Sequence, residues 1–113
     1  MNKEFTETCM AKRIKEIEPS VAEIPNPVAV ENIANSHKIL SGYFLKGAQS
    51  ILKSDTPLLA ILLGYFSMEQ KTYQLLAKKG LKVTSHVCGI MGLSKVIGRK
   101  DLATILSKAY DNR

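Results

Sequence analysis

The chain has 113 residues, of which 45% are hydrophobic and 23% are charged, and its formal net charge is +6. This length fits a single domain with a modest core, and the composition excludes a disordered or fibrous protein. Residues 57–113 hold nine basic and three acidic residues, whereas residues 1–56 hold seven of each. The basic half suggests an anionic partner such as a nucleic acid, a nucleotide or an acidic protein face. A solvated lysine surface is the plainer and slightly favoured interpretation.

The first twenty residues lack the apolar core of a signal peptide. The longest apolar run, residues 57–66, is about half the length that crosses a bilayer, so we expect a cytoplasmic protein. Cys9 and Cys88 match no metal-ligand spacing, and we predict neither a disulfide framework nor a metal site. No motif indicates a cofactor, and we predict none.

Residues 3–17 form the weakest predicted helix. Met10, Ile14 and Ile17 make a short apolar stripe, while Phe5 and Cys9 point elsewhere. We expect an arm that docks onto the rest of the domain or onto a partner subunit, followed by a linker. No segment alternates with period two for long enough to predict a strand.

Two long helices come next. The first has Asn26 as its cap and Pro27 at its first helical position, and it carries one apolar face. The second is predicted to start at Thr56 and Pro57 and to end at Gly80 in the left-handed conformation. It is apolar around most of its circumference, which is typical of a central helix. A self-complementary dimer is the commonest way to cover the excess, so we expect a homodimer.

Two shorter helices are predicted at about residues 84–97 and at residues 101–111. Gly89 and Gly92 leave one side of the first open to close approach by another element. The predicted fold is all-α: an antiparallel up-and-down four-helix bundle over residues 27–112, with an N-terminal arm and linker at residues 1–24. The whole chain, residues 1–113, forms one domain.

Three ionisable residues lie near apolar surface. His37 falls on the apolar face of its helix, where a hydrogen-bonded core role is the more common outcome. Glu69 falls among apolar residues and must be paired, protonated or at a boundary, so a structural and a functional role are evenly balanced. His86 follows two helix-capping residues and either fixes that junction or acts as an acid/base or phosphate contact.

The lysines near His86 are the best candidates for phosphate contacts. We predict a nucleotide- or phosphate-binding set of Lys78, Lys79, Lys82 and His86. No nucleophile motif, glycine-rich phosphate loop or zinc-protease motif is present. The weak catalytic candidates are His86, Lys79 and Glu69, and an enzyme is the less favoured outcome.

A string in residues 65–86 resembles the HEPN superfamily, the "higher eukaryotes and prokaryotes nucleotide-binding" helical domains, in its small stand-alone prokaryotic branch. The residues that carry the resemblance are Tyr65, Phe66, Ser67, Met68, Leu75, Leu76, Lys79, Gly80, Ser85 and His86. Weaker similarity extends to residues 5–20 and 106–113. The resemblance implies a four-helix bundle that dimerises, with kinship to partners of minimal nucleotidyltransferases in toxin–antitoxin systems and to ribonuclease toxins.

The chain departs from the family pattern where the ribonucleases have an Arg-x(4–6)-His motif. Lys79 precedes His86 with six residues between them, and lysine lacks the bidentate fork of arginine. Glu69 and Gln70 stand where the family string has Phe-His, and relatives usually continue beyond Arg113 into a further helix. The departures make nuclease chemistry doubtful and favour a structural role for His86 at the helix junction.

Three functions follow in order of preference. The first is a non-catalytic HEPN-like homodimer that binds a nucleotide or a protein partner such as a minimal nucleotidyltransferase. The second is a metal-independent ribonuclease whose degenerate site combines His86, Lys79 and Glu69 across the dimer. The third is a purely structural helical bundle.

Overall fold

The computed structural model describes residues 2–11 and 19–113, which are mainly α-helical and include two short strands. In chain order the elements are α1 (Lys3–Phe5), a π-helical turn (Thr6–Met10), β1 (Val21–Glu23), α2 (Pro27–Ile51), α3 (Leu59–Lys78), β2 (Leu81–Val83), α4 (His86–Lys95) and α5 (Lys100–Asn112). The mainly helical class predicted from the sequence is confirmed. Ile14 and Ile17 of the first predicted helix lie outside the described residues.

The long helices α2 and α3 form an antiparallel hairpin. Ser41 Oγ on α2 donates to Ser67 O on α3 at 2.9 Å, and His37, one turn earlier on α2, contacts Gln70, one turn later on α3. Residue numbers therefore rise along α2 as they fall along α3. This pairing is the most extensive helix–helix contact of the described chain.

The ends of these helices follow the predicted signals closely. Asn26 Oδ1 accepts a hydrogen bond from Ala29 N at 2.9 Å, as a helix cap should. Helix α3 begins at Leu59 rather than at Pro57, because residues 56–59 first close a turn in which Leu59 N donates to Thr56 O at 3.1 Å. Gly80, just beyond α3, has φ of 84°, which confirms the predicted left-handed cap.

The expectation that the chain has no strand is wrong. β1 and β2 pair in an antiparallel ladder in which Val21 faces Val83 and Glu23 faces Leu81. Val21, Leu81 and Val83 are buried, so one face of this small ladder belongs to the core. Three-residue strands are too short to show the alternation from which a strand is predicted.

The N-terminal segment is more deeply buried than predicted. The side chains of Phe5 and Cys9, expected to point away from the core, are both fully buried. Cys9 forms a disulfide with Cys88 across a separation of 79 residues, with their Cα atoms 5.7 Å apart. The prediction against a disulfide is therefore wrong, because the pairing depends on a tertiary contact that sequence spacing does not reveal.

The direction of α4 differs from that of an up-and-down bundle. A Cβ built on Gly89 would lie 2.9 Å from the Tyr73 ring, and one on Gly92 would lie 2.9 Å from Leu76. The constant offset of sixteen between contacting residues means that α4 runs in the same direction as α3. The extended segment around β2 carries the chain back along α3 before α4 starts, and the predicted antiparallel four-helix arrangement is not confirmed.

Helix α5 completes the second layer by running back against α4 and α3. Tyr110 near its end contacts Tyr65 near the start of α3, with ring centroids 5.8 Å apart. Leu93, Ala103 and Leu106 are buried with Tyr65 in this part of the core. In the first turn of α3, Leu59 is 48% exposed and Ile61 is 50% exposed.

Candidate functional site

A buried carboxylate lies at the centre of the candidate site. Glu69 is only 7% exposed, and its Oε2 accepts hydrogen bonds from the Tyr65 hydroxyl and from His86 Nδ1. Tyr65 is itself buried, whereas the His86 side chain is 45% exposed. An ionised carboxyl in the core needs such partners, and here they come from two different helices. Glu69 is therefore buried and paired, which the sequence had left open.

The local sequence explains how these groups meet. Tyr65 and Glu69 are four residues apart on α3 and so lie on the same face of the helix. His86 is the first residue of α4, whose start is marked by Ser85 Oγ accepting from Cys88 N at 3.4 Å. His86 thus both opens a helix and pairs with a buried acid, so the structural and chemical roles are joined in one residue.

The tyrosines around Glu69 are held in their protonated form. Burial, with the hydrogen bond to Glu69 and its negative charge, raises the pKa of Tyr65 far above its ordinary value. Burial also raises the pKa of Tyr73, with further contributions from the charge and the hydrogen bond of Glu69. Both phenols therefore keep their protons at any physiological pH, and Tyr65 donates its hydrogen to the carboxylate.

The proton on His86 can be assigned from its neighbours. Nδ1 faces Glu69 Oε2 and lies 2.9 Å from the Tyr65 hydroxyl oxygen. Since Tyr65 already donates its hydrogen to Glu69, we place a proton on Nδ1. Nε2 has no hydrogen-bond partner among residues 2–11 and 19–113, and it is the ring nitrogen left for a ligand.

An aromatic ring and an arginine flank the exposed side of His86. The ring of Tyr110 lies 5.4 Å from that of His86, and the guanidinium carbon of Arg113 lies 3.9 Å from the Tyr110 ring centroid. We call the group of Tyr65, Glu69, His86, Tyr110 and Arg113 the His86 corner. It combines a fixed imidazole, a cation with a planar hydrogen-bonding fork and an aromatic ring, but it holds no serine or cysteine nucleophile.

His37 lies on α2 and contacts α3 through residues that are not part of the His86 corner. Its Nδ1 is 2.6 Å from Gln70 Oε1, and its ring meets the edge of Tyr73 with centroids 5.4 Å apart. His37 is therefore hydrogen-bonded, as predicted, but it is half-buried at the α2–α3 interface rather than in the core. Gln70 is half-buried at this contact.

The predicted phosphate-binding set is divided within one chain. Lys78 and Lys79 are exposed at the end of α3, about ten residues or roughly 15 Å from Glu69 along the helix. Lys82 lies on β2, four residues of extended chain before His86, and is exposed. The structure thus brings Glu69 to His86 but does not bring the three lysines to them.

Tyr65, Tyr110 and Arg113 were not predicted as site residues. The four-residue spacing of Tyr65 and Glu69 was a usable signal, because an acid and a phenol on one helix face commonly interact. Tyr110 and Arg113 gave no such signal, since their approach to His86 depends on how α5 packs against α3.

Comparisons with protein-family models, with curated proteins and with solved structures find no match for this chain. In residues 2–11 and 19–113, no helix is both long and apolar enough to span a membrane. No group of three or more potential metal-ligating side chains occurs in that same part of the chain.

Proposed function

We propose that the chain is a HEPN-like helical module that dimerises and binds a phosphate-bearing ligand, a nucleotide or a segment of RNA, without cleaving it. One observation carries this proposal: buried Glu69 fixes the half-exposed His86 beside the Tyr110 ring, on which the Arg113 guanidinium stacks. An arginine fork can donate hydrogen bonds to two phosphate oxygens, and Nε2 of His86 can accept one from a hydroxyl of the same ligand.

The aromatic side of the His86 corner supports a nucleotide in particular. The Tyr110 ring already stacks under the Arg113 guanidinium, and the exposed face of His86 lies next to it. Bases stack on tyrosine, histidine and arginine planes with little dependence on sequence. The lysines at the end of α3 add long-range attraction for a polyanion without belonging to the site.

Binding can be measured by fluorescence anisotropy with a short labelled RNA and with a labelled ATP, at 50 mM and 200 mM salt. We expect His86→Ala and Arg113→Gln each to weaken binding about tenfold, and binding to fall as salt rises. Lys46→Gln is the matched control, because it removes one charge from an exposed lysine on α2. Equal loss from the control and from Arg113→Gln would contradict a site at the His86 corner.

The dimer in this proposal rests on apolar side chains at the open end of the α2–α3 hairpin. Leu58, just before α3, is 78% exposed, and Ile61, in the first turn of α3, is 50% exposed. Ile61→Lys should produce monomers in sedimentation analysis, whereas Val28→Lys, at a similarly exposed site near the other end of α2, should leave the dimer intact. A wild-type monomer at tens of micromolar would contradict this part of the proposal.

The alternative ligand in this proposal is a protein partner, such as a minimal nucleotidyltransferase. Co-purification of such an enzyme, lost in Arg113→Gln and kept in Lys46→Gln, would place the partner at the His86 corner.

The proposal also locates the protein in the cytoplasm, where a structural disulfide is uncommon. Trapping thiols in intact cells tests the location, since Cys9 and Cys88 should then be largely reduced.

A metal-independent ribonuclease is a second candidate, and one observation favours it. Glu69 orients His86 through Nδ1, as a carboxylate orients the general base in many hydrolytic sites, and leaves Nε2 to move a proton. Purified protein would then cleave RNA in EDTA, and Glu69→Gln and His86→Ala would both abolish cleavage. Equal cleavage by the wild type and both variants would dismiss it as contamination.

A further inference from the structure

An apolar cavity of about 160 Å³ lies between α3, α4 and α5, away from the His86 corner. Its inner wall is formed by Leu75 of α3, Leu93 of α4 and Leu106 of α5. Met68 and Ile105 stand at its mouth and are partly exposed, so that the cavity opens to solvent on one side.

The volume of this cavity is large enough for one benzene-sized ring. Protein interiors are packed to crystal-like density, and voids larger than a water molecule are few. Apolar cavities of about 150 Å³ remain dry and take up benzene-sized molecules, because water finds no hydrogen-bond partners in them. The cavity here is lined almost wholly by carbon atoms, so its natural occupant is an apolar group rather than water.

The polar groups of the lining indicate the charge that a ligand of the cavity would carry. The Thr72 hydroxyl already donates to Met68 O at 2.9 Å and is not free to recognise a ligand. Lys71, an exposed lysine one residue earlier on α3, is the one charged side chain of the described lining. No acidic side chain of residues 2–11 and 19–113 forms an ion pair with it.

From these observations we propose that the cavity binds a small monocarboxylate with a single aromatic ring or a short branched aliphatic chain. The apolar body enters between the three leucines, and the carboxylate stays at the mouth, within reach of the Lys71 ammonium. The flexible stem of a lysine can lie along apolar surface while its charged end remains in water, which suits this position. This site is independent of the function proposed for the His86 corner.

Methyl NMR of the full-length protein tests the proposal with three probes: benzoate, benzyl alcohol and acetate. Benzoate should shift the methyl resonances of Leu75, Leu93 and Leu106, with a dissociation constant on the order of a millimolar. Benzyl alcohol should cause the same shifts but bind about threefold more weakly, the difference expected from one exposed ion pair. Acetate, which has the charge without the apolar body, should cause none.

Two variants separate the cavity from its charged rim. Lys71→Gln should make benzoate bind as weakly as benzyl alcohol, while Lys46→Gln, remote from the cavity, should change neither. Leu102→Trp replaces an aliphatic side chain of the lining with a bulky ring that fills the cavity, and it should abolish the shifts. Circular dichroism and thermal unfolding that match the wild type show that this variant is folded.

Three results would overturn the proposal. One is the absence of shifts at 20 mM benzoate, and another is shifts confined to other parts of the protein. The third is that, with no probe added, the cavity methyl resonances shift as the protein concentration rises, and that Ile105→Lys removes these shifts. This result would show that a second copy of the chain occupies the cavity. Retained preference for benzoate in Lys71→Gln would overturn the assignment of the carboxylate contact.

Discussion

The two ends of the α2–α3 hairpin are built very differently. At one end, α3 is covered by the N-terminal segment, the β1–β2 ladder and α4, and Leu76 is fully buried. At the other end, around the connection between α2 and α3, Leu52, Leu58 and Ile61 stay exposed. The same helix therefore supplies a finished core at its carboxyl end and uncovered apolar surface at its amino end.

This difference shows what the apolar circumference of α3 means. The sequence predicted a central helix covered on several sides, but in its first turn Leu59 and Ile61 stay about half exposed. Apolar surface that the chain does not bury is available for association, which is why the proposed dimer is placed at the amino end. The predictions below test whether the two ends differ in energy as they differ in structure.

The largest effect should come from a matched pair of leucines on α3. Leu76→Ala removes a fully buried side chain and should lower the free energy of unfolding by about 2–5 kcal/mol. Leu59→Ala changes a residue that is 48% exposed at the open end, and should cost the monomer under about 1 kcal/mol. Urea unfolding at low protein concentration measures both, and equal losses would remove the contrast between the two ends.

The disulfide should give the next largest effect. It joins the N-terminal segment to α4 and closes a loop of 79 residues, so its loss frees much chain entropy in the unfolded state. Cys9→Ser combined with Cys88→Ser should lower the free energy of unfolding by about 2–4 kcal/mol. The variant should be insensitive to dithiothreitol, whereas reductant should destabilise the wild type by a similar amount. A wild type unaffected by reductant would argue against the bond.

The buried tyrosines should make the protein sensitive to high pH. In the unfolded chain they lose their protons near pH 10, whereas the raised pKa values of Tyr65 and Tyr73 keep them protonated in the fold. Their contribution to stability is therefore complete below pH 10 and falls as the pH rises above it, by up to about 1 kcal/mol per tyrosine between pH 10 and 11. Urea midpoints at pH 9 and 11 check this.

Tyr65→Phe separates this effect from general alkaline unfolding. The variant lacks one of the two groups, so its stability should fall less steeply between pH 9 and 11 than that of the wild type. An unchanged slope would mean that Tyr65 is not the group responsible. The variant should also start from a lower stability at pH 9, because Glu69 loses a hydrogen-bond donor.

The smallest effect is expected at the exposed start of α5. The hydrogen bonds from Arg99 lower the pKa of Asp101 to about 2. The resulting stability is present above about pH 4 and is lost as the pH falls toward 2. Asp101→Asn should therefore lower the stability slightly at pH 7 relative to Asp111→Asn, near the other end of the same helix, and this difference should disappear as the pH falls toward 2. A large effect at pH 7 would show that Asp101 has another role.

Much of the fold could be predicted because its signals are local. The Asn26 cap, the Pro27 start and the Gly80 stop each depend on residues within one helical turn, and all three are found in the structure. The strands, the disulfide and the direction of α4 could not be predicted in this way. Each depends on segments that are distant in sequence, such as Val21 beside Val83.

The candidate site follows the same division. Glu69 was marked as anomalous because a carboxylate among apolar residues requires a partner, and His86 was marked by its position after two capping residues. Their contact required knowledge of the return path through β2, which the sequence alone does not provide. Lys79 follows Glu69 by ten residues along α3, so within one chain it lies about 15 Å from the buried carboxylate.

The bond between Cys9 and Cys88 also turns most of the chain into a covalent ring. A protease that cuts the exposed segment at residues 52–58, between α2 and α3, would open this ring without releasing a fragment. The nicked protein would keep its full mass on a non-reducing gel and separate into two pieces only after reduction. Limited proteolysis read on paired gels thus reports the state of this bond in any sample, including one taken directly from cells.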